Sequence, residues 1–126
     1  MSLRTSLGRV RGLGTAKEGV GHWWSQRLTA LALIPLAIWF AVSVAAHAGA
    51  DYESFRDWVG SPVVAALLLM LIVATFYHAY LGLQVVIEDY VHHHGIKIAS
   101  LIAVKAACIV LAVIALLSVL KIMFGA

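Results

Sequence analysis

SPVVAALLLMLIVATFYHAYLGLQVVIEDY, residues Ser61–Tyr90, reads as a single membrane-crossing helix, and the class of the whole chain follows from it. No charged residue lies between Asp57 and Glu88, an interval of about 30 residues, where a helix needs roughly 20 to cross the hydrocarbon core. A span of that length must tilt or run on beyond the core. Ser61-Pro62 suits a helix start, because proline in the first turn gives up only an amide that would lack a partner anyway. One imidazole, His78, interrupts the apolar run. An ionisable group at that depth is costly unless something binds it. Glu88, Asp89 and Tyr90 close the segment where the lipid interface should be.

The remaining composition agrees. Of the 126 residues, 63% are hydrophobic and 12% are charged, about half the charge of a soluble domain. So few polar side chains could not cover a water-soluble surface, so an integral membrane protein of one domain is expected. Outward from the second span, the first runs from about Leu28 to Ala46, with Pro35 inside it and Trp23 and Trp24 as interface anchors. The third runs from about Ile98 to Met123, with Lys105 near its start and Lys121 near its end able to snorkel. With flanking turns, the expected transmembrane helices are about residues 25–48, 60–90 and 97–123, preceded by a tail over 1–24. The fold class is all-α, a three-transmembrane-helix bundle. Asp51, Glu53, Arg56 and Asp57 occupy a short loop between spans one and two, where Tyr52 and Trp58 would mark the interface.

The net charge of +3 gathers near the N-terminus, where Arg4, Arg9, Arg11 and Lys17 face one acid, Glu18. In a membrane protein this is a topology signal rather than a nucleic-acid footprint. The first loop is net acidic, and Lys97 follows the second. The N-terminus and second loop are therefore expected on the cytoplasmic side, the first loop and C-terminus outside. No early apolar region with a small-residue cleavage site marks a secretory signal. A plain cytoplasmic tail is preferred to an organelle transit peptide, which would be amphipathic. The single cysteine, Cys108, excludes an internal disulfide and reads as a small apolar packing residue.

On a helical wheel, Asp89 falls eleven residues after His78, so the two share a face within roughly 20°. Tyr90 lies roughly 120° away and about 18 Å along the axis. Two readings fit His78. One is an axial ligand to haem iron, which would require a second histidine from another helix. The other is a histidine hydrogen-bonded to a neighbouring helix. His22 and His47 lie at opposite membrane ends, so a second ligand would come from another subunit. Gly82, one turn beyond His78, either leaves room for a planar group or permits close helix packing. Arg27, with His22 and the tryptophans, forms a cationic and aromatic rim. It either binds a carboxylate or quinone carbonyl or is an ordinary snorkelling arginine. Tyr90 is either a donor to a quinone oxygen or an ordinary interface tyrosine. His92, His93 and His94 point about 100° apart if helical, which disfavours one shared metal ion and favours a solvated connection. There is no dinucleotide or phosphate-binding glycine motif, no CxxC pair and no nucleophile with its base.

His78-Ala79-Tyr80-Leu81-Gly82, followed by Val86-Ile87-Glu88-Asp89-Tyr90-Val91, resembles the second helix of the hydrophobic membrane anchor subunit of succinate dehydrogenase, the D subunit of respiratory complex II. The run GHWWSQRLTALALIPL, Gly21–Leu36, is similar to the first helix of alphaproteobacterial and related mitochondrial members. The resemblance covers nearly the whole chain. Its His-to-Asp-Tyr spacing is specific, while the third span is generic. Glu88 departs from the pattern, being an acid where some members have a neutral residue.

The resemblance implies a role for each matching residue. His78 would be an axial ligand of haem b, shared with a second, cytochrome b-type anchor subunit. Tyr90 would hydrogen-bond ubiquinone, with Asp89 beside it. Arg27 and His22 would lie near the haem propionates and the quinone pocket. The anchor would hold an iron–sulfur subunit and a flavoprotein subunit on the cytoplasmic face of the bacterial inner membrane, a location preferred to the mitochondrial inner membrane. Electrons from succinate would reach ubiquinone through the iron–sulfur centres, in the tricarboxylic acid cycle and aerobic respiration. This chain alone would not oxidise succinate. Three other functions compete: a fumarate reductase anchor, a cofactor-free structural membrane subunit, and a metal transporter using the histidine run. One deep histidine makes a poor transport path.

Overall fold

The computed structural model describes residues 5–11 and 16–125. Arg4 lies outside the described residues, as do the side chains of Arg9, Arg11, Lys17 and Glu18, which carry most of the N-terminal charge. Every regular element described is helical. They are α1 (Ser6–Arg11), α2 (Ala16–Ala46), α3 (Tyr52–Gly60), α4 (Pro62–Tyr90) and α5 (His94–Met123). Three helices are long and apolar enough to cross a membrane: Gly19–Ala46 of α2, all of α4 and all of α5. At 1.5 Å per residue, the 29 residues of α4 span about 43 Å, so its ends run past a hydrocarbon core of roughly 30 Å.

Helix boundaries follow local chemistry. Ser61 caps α4 through its backbone, Pro62 occupies the first turn, and no Ser61 side-chain bond is made. Gly49, at φ +88°, lies in the turn that follows α2, a left-handed conformation that costs glycine nothing. Pro35 is tolerated inside α2, although it leaves the carbonyl one turn earlier without its amide. His93 caps α5, its Nδ1 accepting from the Ile96 amide at 3.4 Å. Only residues 91–93 separate α4 from α5, so the two run antiparallel as neighbours.

Two expectations change. Helix α2 begins at Ala16, nine residues before the expected start at 25. Nothing between Ala16 and Leu28 breaks a helix, so the helix extends beyond the apolar span. The segment between the first two spans is not a loop but contains the helix α3. Asp51 accepts from the Ser54 amide at 2.9 Å and thereby caps it; the Ser54 side chain first, and then its amide, hold the Asp51 carboxyl below its ordinary pKa. Tyr52 is exposed, as an interface residue would be, but Trp58 turns inward. It stacks on His47 with ring centroids 4.4 Å apart and stands 6.5 Å from Trp39. Aromatic packing thus ties α3 back to the end of α2.

Helix α4 is the hub. It packs on both α2 and α5, which do not pack on each other, and α3 lies against α4 and α5. The three long helices therefore form an open row with α4 in the middle. The tightest packing lies where α3 closes that row. Val59, Ala65, Leu68 and Val119 are buried there, with Trp39, Trp58, Ile122 and Met123 around them. Elsewhere most large apolar side chains are exposed, including Leu31, Ile38, Val63, Ile102 and Leu117. In water such a surface would aggregate; in a bilayer it faces acyl chains or partner helices.

Ala65 has no exposed surface and sits where α3, α4 and α5 converge. Ala65→Leu should overpack that junction, at a cost of about 1–3 kcal/mol. A lower unfolding midpoint in detergent is expected, whereas Val63→Leu on the exposed face should leave it unchanged.

Candidate functional site

The α2–α4 contact carries a polar stripe. His22, Gln26 and Thr29 are spaced by four and three residues, so they share one face of α2, and all three are half-buried. Opposite them on α4 stand His78 and Gly82. The Thr29 hydroxyl oxygen lies 2.9 Å from His78 Nδ1. It also lies 2.8 Å from the Ser25 carbonyl and 3.0 Å from the Gln26 carbonyl of its own helix. A threonine hydroxyl has one proton. Donated to its own helix, that proton leaves the oxygen free to accept from an Nδ1–H of His78. The opposite ring nitrogen, Nε2, then keeps its lone pair. Among the described residues Nε2 has no hydrogen-bond partner, and it is not an enclosed polar atom. The bond to a neighbouring helix, one of the two readings of His78, is therefore present, and it does not compete with ligation through Nε2.

Gly82 faces α2: a Cβ built there would stand 3.6 Å from Gln26 Nε2. That contact is ordinary in length, so a Cβ would fit there; what it shows is that Gly82 lies on the α2-facing side of α4. His22 Nε2 and Gln26 Oε1 are enclosed without a partner among the described residues.

The pairs Thr29–His78 and Gln26–Gly82 set the register of the two helices. In that register Arg27 lies level with about Leu81, within one turn of His78. Tyr90 lies nine residues further on, roughly 14 Å along the axis. Arg27 and Tyr90 therefore share a membrane half but not a depth. Arg27 is exposed, with its guanidinium 5.0 Å from the centroid of the Trp23 ring, a cation–π contact. His22 is five residues from Arg27, so it is turned roughly 140° away on the wheel. The expected rim thus splits. Arg27 and the tryptophans look outward, and His22 looks toward α4.

Asp89 and Tyr90 end α4 in the open, Tyr90 being 79% exposed. Glu88 is held locally: its Oε1 accepts from Gln84 Nε2 at 2.8 Å, and its backbone carbonyl accepts from Lys97 Nζ at 3.1 Å. His92, His93 and His94 are all exposed. Among the described residues no group of three or more potential metal ligands converges. Lys105, expected near the start of its span, is the twelfth residue of α5, because that helix begins at His94. With Phe76, Tyr77, Tyr80 and Cys108 it lines an apolar groove of about 330 Å³ between α4 and α5.

Thr29 and Gln26 were not among the expected site residues. The signal was present as polar side chains at helical spacing inside or beside an apolar span, but only the partner helix gives that spacing a purpose.

Residues 1–120 match the family described as succinate dehydrogenase/fumarate reductase transmembrane subunit. The chain is 33% identical over 102 residues to the succinate dehydrogenase hydrophobic membrane anchor subunit of Rickettsia bellii, covering 81% of this chain and 82% of that protein. The protein of the same name from Rickettsia conorii is 32% identical over 108 residues, 85% of this chain and 86% of that one. That of Paracoccus denitrificans is 31% identical over 81 residues, 64% and 63% of the two chains. No solved structure gives a significant match. Three membrane-crossing helices and a family match over nearly the whole length agree, and the chain belongs to the succinate dehydrogenase/fumarate reductase transmembrane subunit family.

Proposed function

We propose that this chain is one of two membrane anchor subunits of a succinate:ubiquinone oxidoreductase. It forms a single membrane-anchor domain in a bacterial cytoplasmic membrane. Its N-terminus and the α4–α5 connection face the cytoplasm, where an iron–sulfur subunit and a flavoprotein subunit dock. The distribution of basic residues supports that orientation. The relatives' names support succinate dehydrogenase over a fumarate reductase anchor.

The observation that carries the reading is the His78 imidazole. It stands inside an apolar helix, tethered at Nδ1 and open at Nε2. Ligating histidines usually have this form, with one ring nitrogen held by the protein and the other free. These residues fit a haem b, with His78 Nε2 as one axial ligand. The second ligand comes from the other anchor subunit, because His22 and His47 lie well away in depth. Haem, when bound, supplies a one-electron centre between the two anchor subunits.

Arg27 projects from the exposed side of α2 near the depth of His78, which suits a carboxylate of the haem propionate type better than a ligand at Tyr90. Its contact with Trp23 holds the guanidinium against an aromatic face while its N–H groups stay available. His22 lies between the depths of Arg27 and Tyr90, in the vicinity of both sites. At the end of α4, Tyr90 donates its phenolic proton to a carbonyl oxygen of ubiquinone and so orients the ring. Asp89, exposed beside it, contacts water and passes protons to the reduced quinone. The chain itself has no succinate site; it binds, orients and anchors.

Two substitutions in the assembled complex test this. His78→Ala should remove the bis-histidine haem spectrum, and an unchanged spectrum would rule out His78 as a ligand. Tyr90→Phe should lower quinone reduction about 10-fold, the loss expected for one hydrogen bond of about 1.4 kcal/mol. Succinate oxidation by an artificial acceptor should be preserved. Equal loss of both activities would place the defect in assembly.

A further inference from the structure

The polar bond between α2 and α4 has a use beyond joining two helices. We propose that Thr29 is a positioning residue for the haem ligand: it accepts the Nδ1 proton of His78, fixes which ring nitrogen faces the iron, and sets how strongly the imidazole donates to it. The proposal rests on the reading of His78 as an axial ligand.

A neutral imidazole carries one proton, and the nitrogen bound to a metal cannot carry it. Ligation through Nε2 therefore puts the proton on Nδ1. In a helix interface that proton needs an acceptor, because an unpaired N–H in an apolar medium is costly. Thr29 Oγ1, at 2.9 Å, is the one partner His78 has among the described residues. A hydroxyl is an ambiguous partner, since it can donate as readily as it accepts. With His78 ligated through Nε2 the proton is on Nδ1, so the Thr29 oxygen must accept, and α2 supplies the acceptor for its own proton. The Ser25 carbonyl, 2.8 Å from the same oxygen, takes the hydroxyl proton. The result is a directed relay: His78 Nδ1–H to Thr29 Oγ1, then Thr29 O–H to the Ser25 carbonyl. The Gln26 carbonyl, at 3.0 Å, offers a second acceptor with the same sense.

Two consequences follow. The bond fixes rotation about the His78 side chain, so Nε2 points away from α2 and is presented in one orientation. An acceptor at Nδ1 also gives the ring partial imidazolate character, which raises its basicity toward the metal. A more basic ligand favours ferric over ferrous iron, so the relay lowers the haem potential. Valine at position 29 has nearly the shape of threonine but no oxygen. It removes the acceptor with little change in packing volume.

The test uses the complete complex purified with its haem. Thr29→Val should retain a bis-histidine spectrum but raise the haem midpoint potential in a redox titration. It should also lose haem more readily, with affinity reduced roughly 10- to 100-fold, as for other ligand-orienting partners. Thr29→Ser keeps the oxygen and should restore both properties. Wild-type potential and retention in Thr29→Val would overturn the proposal and leave Thr29 as a packing residue. Equal shifts in Thr29→Val and Thr29→Ser would overturn it too, because serine keeps the hydroxyl and the shift would then not depend on it. If Thr29→Val does not assemble, Thr29→Ala removes the hydroxyl without adding bulk, and the same rise in potential is expected; an unchanged potential overturns the proposal. His78→Ala separates this from failure of the underlying reading, since an unchanged spectrum there removes the ligand itself.

Discussion

Hydrocarbon offers no hydrogen bond to a peptide group, and this governs how the chain can cross a bilayer. Each backbone N–H and C=O in the bilayer must find its partner inside the chain, which for a short polypeptide means continuous helices. Helices α2, α4 and α5 meet the requirement, and the connections between them fall outside the apolar stretches. The polar connections gather cap residues for the same reason. Asp51 and His93 satisfy amides at helix starts through their side chains. Pro35 is the exception within a span, and it sits on an exposed part of α2.

The constraint that enforces helices says little about how they pack. Lipid is as apolar as leucine, so burial alone does not drive helices together in a membrane. Shape and polar contacts must do so. At one end, small and branched residues at Ala65, Val59 and Val119 let α3, α4 and α5 close tightly. In the half of α4 that carries His78, the joint with α2 is polar, from Thr29 to His78 and from Gln26 past Gly82. The open row that results leaves apolar faces on both sides of α4. In the proposed function, this row of three helices, with a free imidazole nitrogen and an exposed arginine, supplies half of a binding site that a second membrane subunit completes.

The two proposed sites also separate by environment. His78 works at depth, where few groups can serve it and each hydrogen bond is strengthened by the low dielectric. Asp89 and Tyr90 are exposed at the helix end, where the proposed quinone chemistry has water for proton exchange. Helix α4 connects the two. Its length places His78 and Tyr90 about 18 Å apart along one rigid element, so the spacing between the two proposed sites is carried by a helix rather than by loops.

Much of this was legible in the residues. Thirty uncharged positions before Glu88 announce a membrane helix, and Ser61-Pro62 announces its start. The identity and spacing of His78, Asp89 and Tyr90 already divide α4 into a deep position and a surface position, because helical rise and rotation are constant along a chain. What a single helix cannot express is its neighbour. Four charged residues in a short segment give α3 the look of a loop, although Tyr52, Phe55, Trp58 and Val59 recur at helical spacing within its nine residues. The resemblance sets Arg27 near the quinone pocket of Tyr90, but the register of α2 on α4 separates the two by roughly 14 Å in depth. Thr29 was passed over as one more small residue in an apolar run. Local hydropathy and spacing are enough to fix the three spans and the candidate ligands. Which atom of His78 is held and which is free comes from packing alone, since it depends on a hydroxyl 49 residues away brought to 2.9 Å.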